Sequence, residues 1–391
     1  MITRPLILLE FSIVRGGLFY RLQERLRVVT ENNSRIVARA TVFALVSFCP
    51  LVILAAVQGF AINADTNRSM LLDFSVYGRF VVAIPLFVLA EGLVHERFVI
   101  IASYFFNSGI IPEGERAAYL NLLNLTQRLV TAAPAEIFLV LLAYLVASIS
   151  VSYDLFYGPI SWKQSEDGTL SFAGWWLLFV SMPLFQFLLL RWAWRLIIWC
   201  IFLWRLSRLD LQLLSTHPDS AGGLGILAES IYAFTPIFAG LSAVFSSVWC
   251  KAVVFFGADA NGFIRPFCVF LLATFLISVA PLTIFTERLI RVKLRGLHDY
   301  GVLANAHSWF FDEKWIRHAE QNMPSVLGTP DISSLCDLST DYQTVQSMKL
   351  FPFRLQNLLY LAGAVCIPMI PLLLIQVPLR EVIVKVAGAL L

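Results

Sequence analysis

Seven long apolar stretches dominate this chain of 391 residues. A helix needs about 20 residues to cross roughly 30 Å of hydrocarbon, and most of the stretches reach that length. We therefore predict an all-α polytopic membrane protein with about seven transmembrane helices and with amphipathic and cytosolic helical extensions. The stretches lie near residues 38–61, 79–94, 135–152, 173–190, 226–250, 266–286 and 357–377.

The composition agrees with lipid as the main solvent. Hydrophobic residues make up 58% of the chain and charged residues 14%, whereas a soluble domain is about 45–50% apolar and about 25% charged. The net charge of +3 is too small to indicate a nucleic-acid partner. The six cysteines form no CxxC pair, so we expect neither a disulfide framework nor a metal site, and no cofactor.

Polar segments divide the chain into four parts. Residues 1–37 are basic and amphipathic, which fits either a helix on anionic lipid headgroups or a helix packed on the cytosolic side of the bundle. Residues 38–290 hold spans one to six with an inner loop at 96–133, and residues 291–353 form a cytosolic helical region that includes a short helix opening at Asp331. Residues 354–391 hold the last span and an outer tail.

The distribution of basic residues predicts the orientation. With the N-terminus inside, Lys and Arg on inner segments outnumber those on outer segments by roughly three to one. We expect a multi-pass protein of a cell membrane of the bacterial inner-membrane type, with a cytoplasmic N-terminus and the C-terminus outside. The second stretch, 79–94, is short, so a re-entrant segment is the alternative there.

The fourth stretch continues into a helix longer than a membrane is thick. A helix from Trp175 to Leu214 would measure about 60 Å, twice the hydrocarbon thickness. Its second half, from Trp192 to Trp204, is almost wholly apolar. Apolar surface of that size is not left in water, so we expect it to meet the inner loops or another subunit.

Three arginines of this helix, Arg191, Arg195 and Arg205, share one face within about 80°. Charges at membrane depth usually face a bundle interior or a watery cavity. One hypothesis is an aqueous vestibule that favours anions, and the alternative is that the arginines snorkel to lipid phosphates or form fixed ion pairs with glutamates. The glutamates near the inner ends of spans are Glu91, Glu136, Glu229 and Glu287.

A glycine-rich turn at residues 217–225 is the most distinctive local string. Pro218 disfavours a helical residue before it, and three glycines allow positive φ and close backbone approach. The N–H groups of the next helix would then form an anion site for a small anion or a phosphate-containing ligand. The alternative is a tight interhelical turn capped by Asp219 or Ser220. The candidate ligand-binding residues are His217, Asp219, Ser220, Gly222, Gly223, Gly225 and Arg208.

No motif in the chain identifies a function. We interpret it as an oligomeric ion channel or pore with a cytosolic regulatory region, a homo-oligomer lined by Arg191, Arg195, Arg205, Glu229 and Glu91. The alternatives are a secondary transporter, although we find no convincing repeat, and a non-transporting scaffold or sensor subunit. An intramembrane enzyme would need paired His and acid residues at one depth, and only Glu91 with His95 approaches that pattern. We therefore predict no catalytic residues.

Overall fold

The computed structural model describes residues 11–25, 36–63, 65–158, 160–165, 167–317 and 330–376. Almost all of the regular structure in these ranges is helical, and the described residues contribute one isolated bridge between Gln164 and Leu170. The helices are α1 (Leu18–Arg25), α2 (Ile36–Val57), α3 (Phe74–Asn107), α4 (Arg116–Val130), α5 (Ala133–Tyr157), α6 (Phe172–Leu206), α7 (Gly225–Phe256), α8 (Ala260–Arg317), α9 (Pro330–Gln346) and α10 (Leu355–Ile375).

The prediction of an all-α polytopic membrane protein is confirmed. Seven helices are long and apolar enough to cross a bilayer: α2, α3, α5, α6, α7, α8 and α10. The second stretch, which looked short, lies within α3, a helix of 34 residues. The sequence hid this length because Arg79 near the start of α3 and Glu91, Glu96 and Arg97 in its middle interrupt the apolar run.

The contacts between loops place the described turns on two faces of the bundle. On one face, Gln212 N–H donates to the Ile110 carbonyl, and Lys349 N–H donates to the Ser220 carbonyl. We call this face the N-side, because residues 11–25 also lie there. On the opposite face, the far side, Met70 N–H donates to the Phe60 carbonyl. The connections between successive helices therefore alternate between the two faces, as seven successive crossings require.

The central helix is α3, which packs against α2, α6 and α7. Four of its phenylalanines are fully buried, so much of its surface faces other helices and not lipid. Phe87 reaches α7 at Gly240, where an added Cβ would lie 2.9 Å from the Phe87 ring. The glycine is therefore needed for the close approach of these two helices.

The apolar second half of α6 is covered by the chain itself. The ring of Trp199 lies 4.5 Å from that of Phe98 on α3 and 5.3 Å from that of Phe202, measured between centroids. The helix ends at Leu206 rather than at the predicted Leu214. It ends there because residues 210–214 leave the helix and the backbone of Gln212 pairs with the loop at Ile110 instead.

Helices α3 and α6 have the same order of local features: an N-terminal cap, a π-helical turn and a proline. Each begins after a residue whose side chain caps the first turn, Asp73 and Ser171, and each then forms a π-helical turn. A proline follows at the start of the next α-helical stretch, Pro85 and Pro183 respectively. We found no convincing repeat in the sequence, because this similarity lies in capping and helix type more than in residue identity.

On the N-side, α8 continues far beyond the membrane. It has 58 residues, including a 3₁₀ segment at Ala280–Phe285, and its distal part packs against α9 as a helical hairpin. Helix α9 has 17 residues and is longer than the predicted short helix at Asp331. The predicted outer tail beyond residue 376 lies outside the described residues.

The N-terminal segment packs on the bundle in the part that the structure describes. Phe11, Ile13 and Val14 are buried, and the Phe19 ring lies 4.9 Å from that of Phe187. This agrees with a helix packed on the bundle for residues 11–25. The remaining residues of the predicted amphipathic segment, 1–10 and 26–35, lie outside the described ranges.

Candidate functional site

Five charged residues meet inside the bundle near its N-side: Arg39 on α2, Glu91 on α3, Glu136 on α5, and Arg191 and Arg195 on α6. We call them the Glu91 cluster. None is more than 6% exposed. Charges in such surroundings are retained only when they are paired, because the cost of removing an ion from water is several kcal/mol.

Glu91 is the common partner of all three arginines. Its Oε1 accepts from Arg191 Nη1 at 3.1 Å and from Arg195 Nη2 at 2.9 Å. Its Oε2 accepts from Arg39 Nη2. One carboxylate thus joins α2, α3 and α6 at a single depth.

The N-terminal segment and α5 complete the cluster. Glu136 Oε2 accepts from Phe19 N–H at 3.1 Å, and its Oε1 lies 3.8 Å from Arg191 Nε. Gln23 Oε1 accepts from Arg39 Nη1 at 3.2 Å. The Val14 carbonyl accepts from Arg195 Nη2 at 3.2 Å. Residues 14–23 therefore close the cluster on its N-side.

The Glu91 cluster carries an excess of positive charge, because three arginines face two glutamates. Arg39 Nε and Arg195 Nη1 are buried and have no hydrogen-bond partner among the described residues. The excess is partly offset by an aromatic face, since the Arg195 guanidinium lies 4.4 Å from the Trp192 ring centroid. The cluster therefore favours an anion over a cation in its neighbourhood.

The predicted vestibule arginines do not share one environment. Arg191 and Arg195 are enclosed by the Glu91 cluster, whereas Arg205 is exposed at the end of α6. Among the four glutamates considered, Glu91 and Glu136 reach the arginines. Glu229 pairs with Arg97 instead, and Glu287 lies near Arg291 on the surface of α8. Arg191 and Arg195 therefore have the ion-pair partners that the alternative of fixed ion pairs expects.

The backbone N–H groups of the glycine-rich turn are bound by a carboxylate from the turn itself. Asp219 accepts hydrogen bonds from the N–H groups of Ala221, Gly223 and Gly225, at 2.7, 3.1 and 2.8 Å. His217 Nδ1 lies 2.8 Å from the same carboxylate. The predicted ligand site is therefore filled by the Asp219 side chain, and the capped-turn alternative fits the geometry.

The remaining residues of that turn serve its shape. Ser220, Gly222 and Gly223 all have positive φ, at 56°, 66° and 93°. A Cβ on Gly223 would lie 2.8 Å from the Ile110 side chain, so the turn packs directly on the loop after α3. Arg208 lies with Arg205 in a groove beside α4.

A polar cavity of about 300 Å³ opens on the far side, and sequence reasoning missed it. Its charged lining residues are Asp73, Arg79, Asp154, Lys163 and Lys251, three cations and two carboxylates. They come from three segments far apart in sequence. The one available signal was the placement of several charges just outside the apolar stretches.

Asp73 is held in this far-side cavity by several hydrogen bonds and an ion pair. Its carboxylate accepts from Trp162 Nε1 at 3.0 Å and from Ser75 Oγ at 2.7 Å, and it lies 3.2 Å from Lys251 Nζ. Burial raises the pKa of Asp73, but Lys251, Lys163 and the two hydrogen bonds outweigh burial and lower the pKa to about 2. Asp73 is therefore an anion at any physiological pH.

No metal site appears in the described part of the chain, where no group of three or more His, Cys, Asp or Glu residues converges. His95, which sequence reasoning paired with Glu91, has a buried Nδ1 without a hydrogen-bond partner among these residues. Glu91 itself is committed to three arginines. The pair therefore lacks the geometry of an acid–base couple.

The chain matches no protein-family model, no curated protein and no solved structure. The chemistry of these sites is therefore inferred from their geometry alone. They belong to an integral membrane protein with seven candidate membrane-spanning helices, a charged cavity at the far side and a buried charge cluster at the N-side.

Proposed function

We propose that the protein is a channel for small anions, described here with its path closed at Phe87. The observation that carries the proposal is the presence of two sites with excess positive charge at two different depths along α3. Arg79 lines the far-side cavity and Glu91 holds the N-side cluster, roughly 18 Å apart along the helix. Positive sites at both depths would concentrate anions and repel cations.

The segment between the two sites has the character of a hydrophobic constriction. Phe87 is fully buried between Gly240 on α7 and Phe185 on α6, whose ring lies 5.9 Å away. Small hydroxyls lie at similar depth, where Ser181 Oγ donates to the Ser47 carbonyl at 2.7 Å. Apolar rings that exclude water are a recurrent gating device in channels.

This path would run within one chain. The apolar half of α6 is covered by α3, so it gives no reason to place a pore between subunits. The homo-oligomer expected from the sequence remains a prediction, and mass measurement of the protein in nanodiscs tests it separately.

Removing the Phe87 ring tests the proposal. We expect Phe87→Ala to raise chloride flux into proteoliposomes about ten-fold, because lowering a barrier by about 1.4 kcal/mol has that effect on a rate. Potassium flux should change little. The matched control is Phe138→Ala, which removes a ring that is 62% exposed on the outside of α5.

Because loss of a buried ring costs about 3–5 kcal/mol, Phe87→Leu is measured beside it as a milder change. Both variants are first checked for a single peak in size-exclusion chromatography. If neither variant passes more chloride than Phe138→Ala, or if potassium flux rises equally, the anion channel is refuted.

A secondary transporter is the second candidate, and the shared order of local features in α3 and α6 favours it. Carriers are often made of two structural repeats whose helices are interrupted near the binding site. Saturable counterflow of a labelled anion through wild-type protein would identify a carrier, since a channel gives no counterflow.

A further inference from the structure

A groove separates α4 from the N-side end of α6. Its volume is about 600 Å³, within the size range of small-molecule sites. Three arginines line it, Arg128 from α4 and Arg205 and Arg208 from α6, with the side-chain amides of Asn121 and Asn124 beside them. The sequence analysis linked Arg208 to the glycine-rich turn, whose N–H groups Asp219 already occupies, and Arg205 to a vestibule.

The groove holds three positive charges and no acidic residue among its lining residues. Asp210, the nearest acid along the chain, lines a different cavity with Arg288, Arg291 and Arg295. Among the described residues, none of the three groove arginines forms an ion pair. The groove therefore lacks a counter-ion from the described part of the chain.

Two features hold these cations together. Arg128 and Arg205 each stand in the last turn of a helix, where the dipole favours positive charge. Arg208 lies over the Trp204 ring at 4.8 Å from its centroid. Neither feature uses up the donor capacity of a guanidinium, so the N–H groups remain available to an anion.

We propose that this groove binds a phosphate group. Guanidinium forks match phosphate oxygens in a bidentate way, and the two asparagine amides add neutral donors. Leu122 and Leu125 line the same groove and limit its hydration. The phosphate could belong to a free phosphorylated compound or to an anionic lipid headgroup, because both present the same oxygens.

The groove is separate from the Glu91 cluster. Arg205 lies about 15 Å along α6 from Arg195, counted at the helical rise. Binding there needs no conduction and leaves the closed path at Phe87 untouched. The proposal therefore stands or falls independently of the channel.

The test measures the melting temperature of the full-length protein in nanodiscs, in two arms. In the first, inorganic pyrophosphate is titrated into nanodiscs of phosphatidylcholine at constant ionic strength. In the second, phosphatidylcholine nanodiscs are compared with nanodiscs that also contain phosphatidylglycerol. A rise in the first arm identifies a free phosphate as ligand, and a rise in the second arm alone identifies a lipid phosphate.

The variants locate the response. We expect Arg205→Gln and Arg128→Gln each to weaken the response about ten-fold, since each removes the charge-assisted hydrogen bonds of one guanidinium. Arg265→Gln removes an exposed arginine at the far side and should respond as wild type does. Having two groove variants guards against one that fails to fold. The proposal is overturned if wild type responds in neither arm, or if both groove variants respond like Arg265→Gln.

Discussion

Neutralising Glu91 should destabilise the protein more than any other single loss of charge in its described part. Glu91→Gln keeps the shape of the side chain but leaves Arg39, Arg191 and Arg195 buried with Glu136 as the one remaining acid of the cluster. Removing one partner of a buried ion pair costs about 3–5 kcal/mol. Glu91 has three such partners, but they share one carboxylate, so the costs do not add. We expect a loss of about 4 kcal/mol in the free energy of unfolding.

The assay is reversible unfolding in mixed detergent micelles, followed by tryptophan fluorescence. Glu229→Gln is the matched control, because Glu229 also pairs with an arginine but the two side chains are 27% and 43% exposed. Such a pair contributes about 0–1 kcal/mol. Adding Arg39→Gln to Glu91→Gln should then cost less than the sum of the two single changes, because it removes one of the stranded cations. Equal stabilities of Glu91→Gln and Glu229→Gln would refute the reasoning.

Two further predictions concern the far side and the glycine-rich turn. A folded pKa of about 2 for Asp73, against 3.8 in the unfolded chain, means that its contribution of about 2 kcal/mol is complete above pH 4 and is lost as the pH falls toward 2. The melting temperature of Asp73→Asn should therefore fall less steeply than that of wild type across this interval, and parallel curves would contradict the lowered pKa. Gly223→Ala should cost at least about 2 kcal/mol, because its Cβ would meet Ile110 at 2.8 Å as well as adopting φ of 93°. Gly109→Ala, with φ of 82° and open space around it, should cost about 1 kcal/mol in the same unfolding assay, and equal losses would rule out the contact with Ile110.

The membrane spans could be predicted because lipid imposes one simple demand on every residue that faces it. That demand acts on each segment separately, so all seven stretches fall within helices that are long and apolar enough to cross a membrane. The length of α6 was predicted less well. Its end at Leu206 depends on the contact between Gln212 and Ile110, which are about one hundred residues apart.

The partners of the charged residues could not be predicted from local sequence patterns. Glu91 and Glu136 were named among four candidate partners for the arginines, but helical spacing could not choose between them, because the choice depends on how α3 and α5 face α6. At the glycine-rich turn, the spacing indicated exposed N–H groups and the structure fills them with Asp219. Ser220 in this turn has a positive φ, for which the sequence holds no clear signal.

The long helix α8 links the membrane-spanning part of the bundle to the helical hairpin that it forms with α9. From Thr286 to Arg317 it extends roughly 48 Å past its 3₁₀ segment, with α9 as a brace along its side. A tilt of about five degrees at Pro281 would therefore swing the tip by roughly 4 Å. A small tilt of the membrane-spanning part of α8 therefore becomes a larger displacement of the hairpin. A partner that binds the hairpin and moves it would in turn tilt that part of α8.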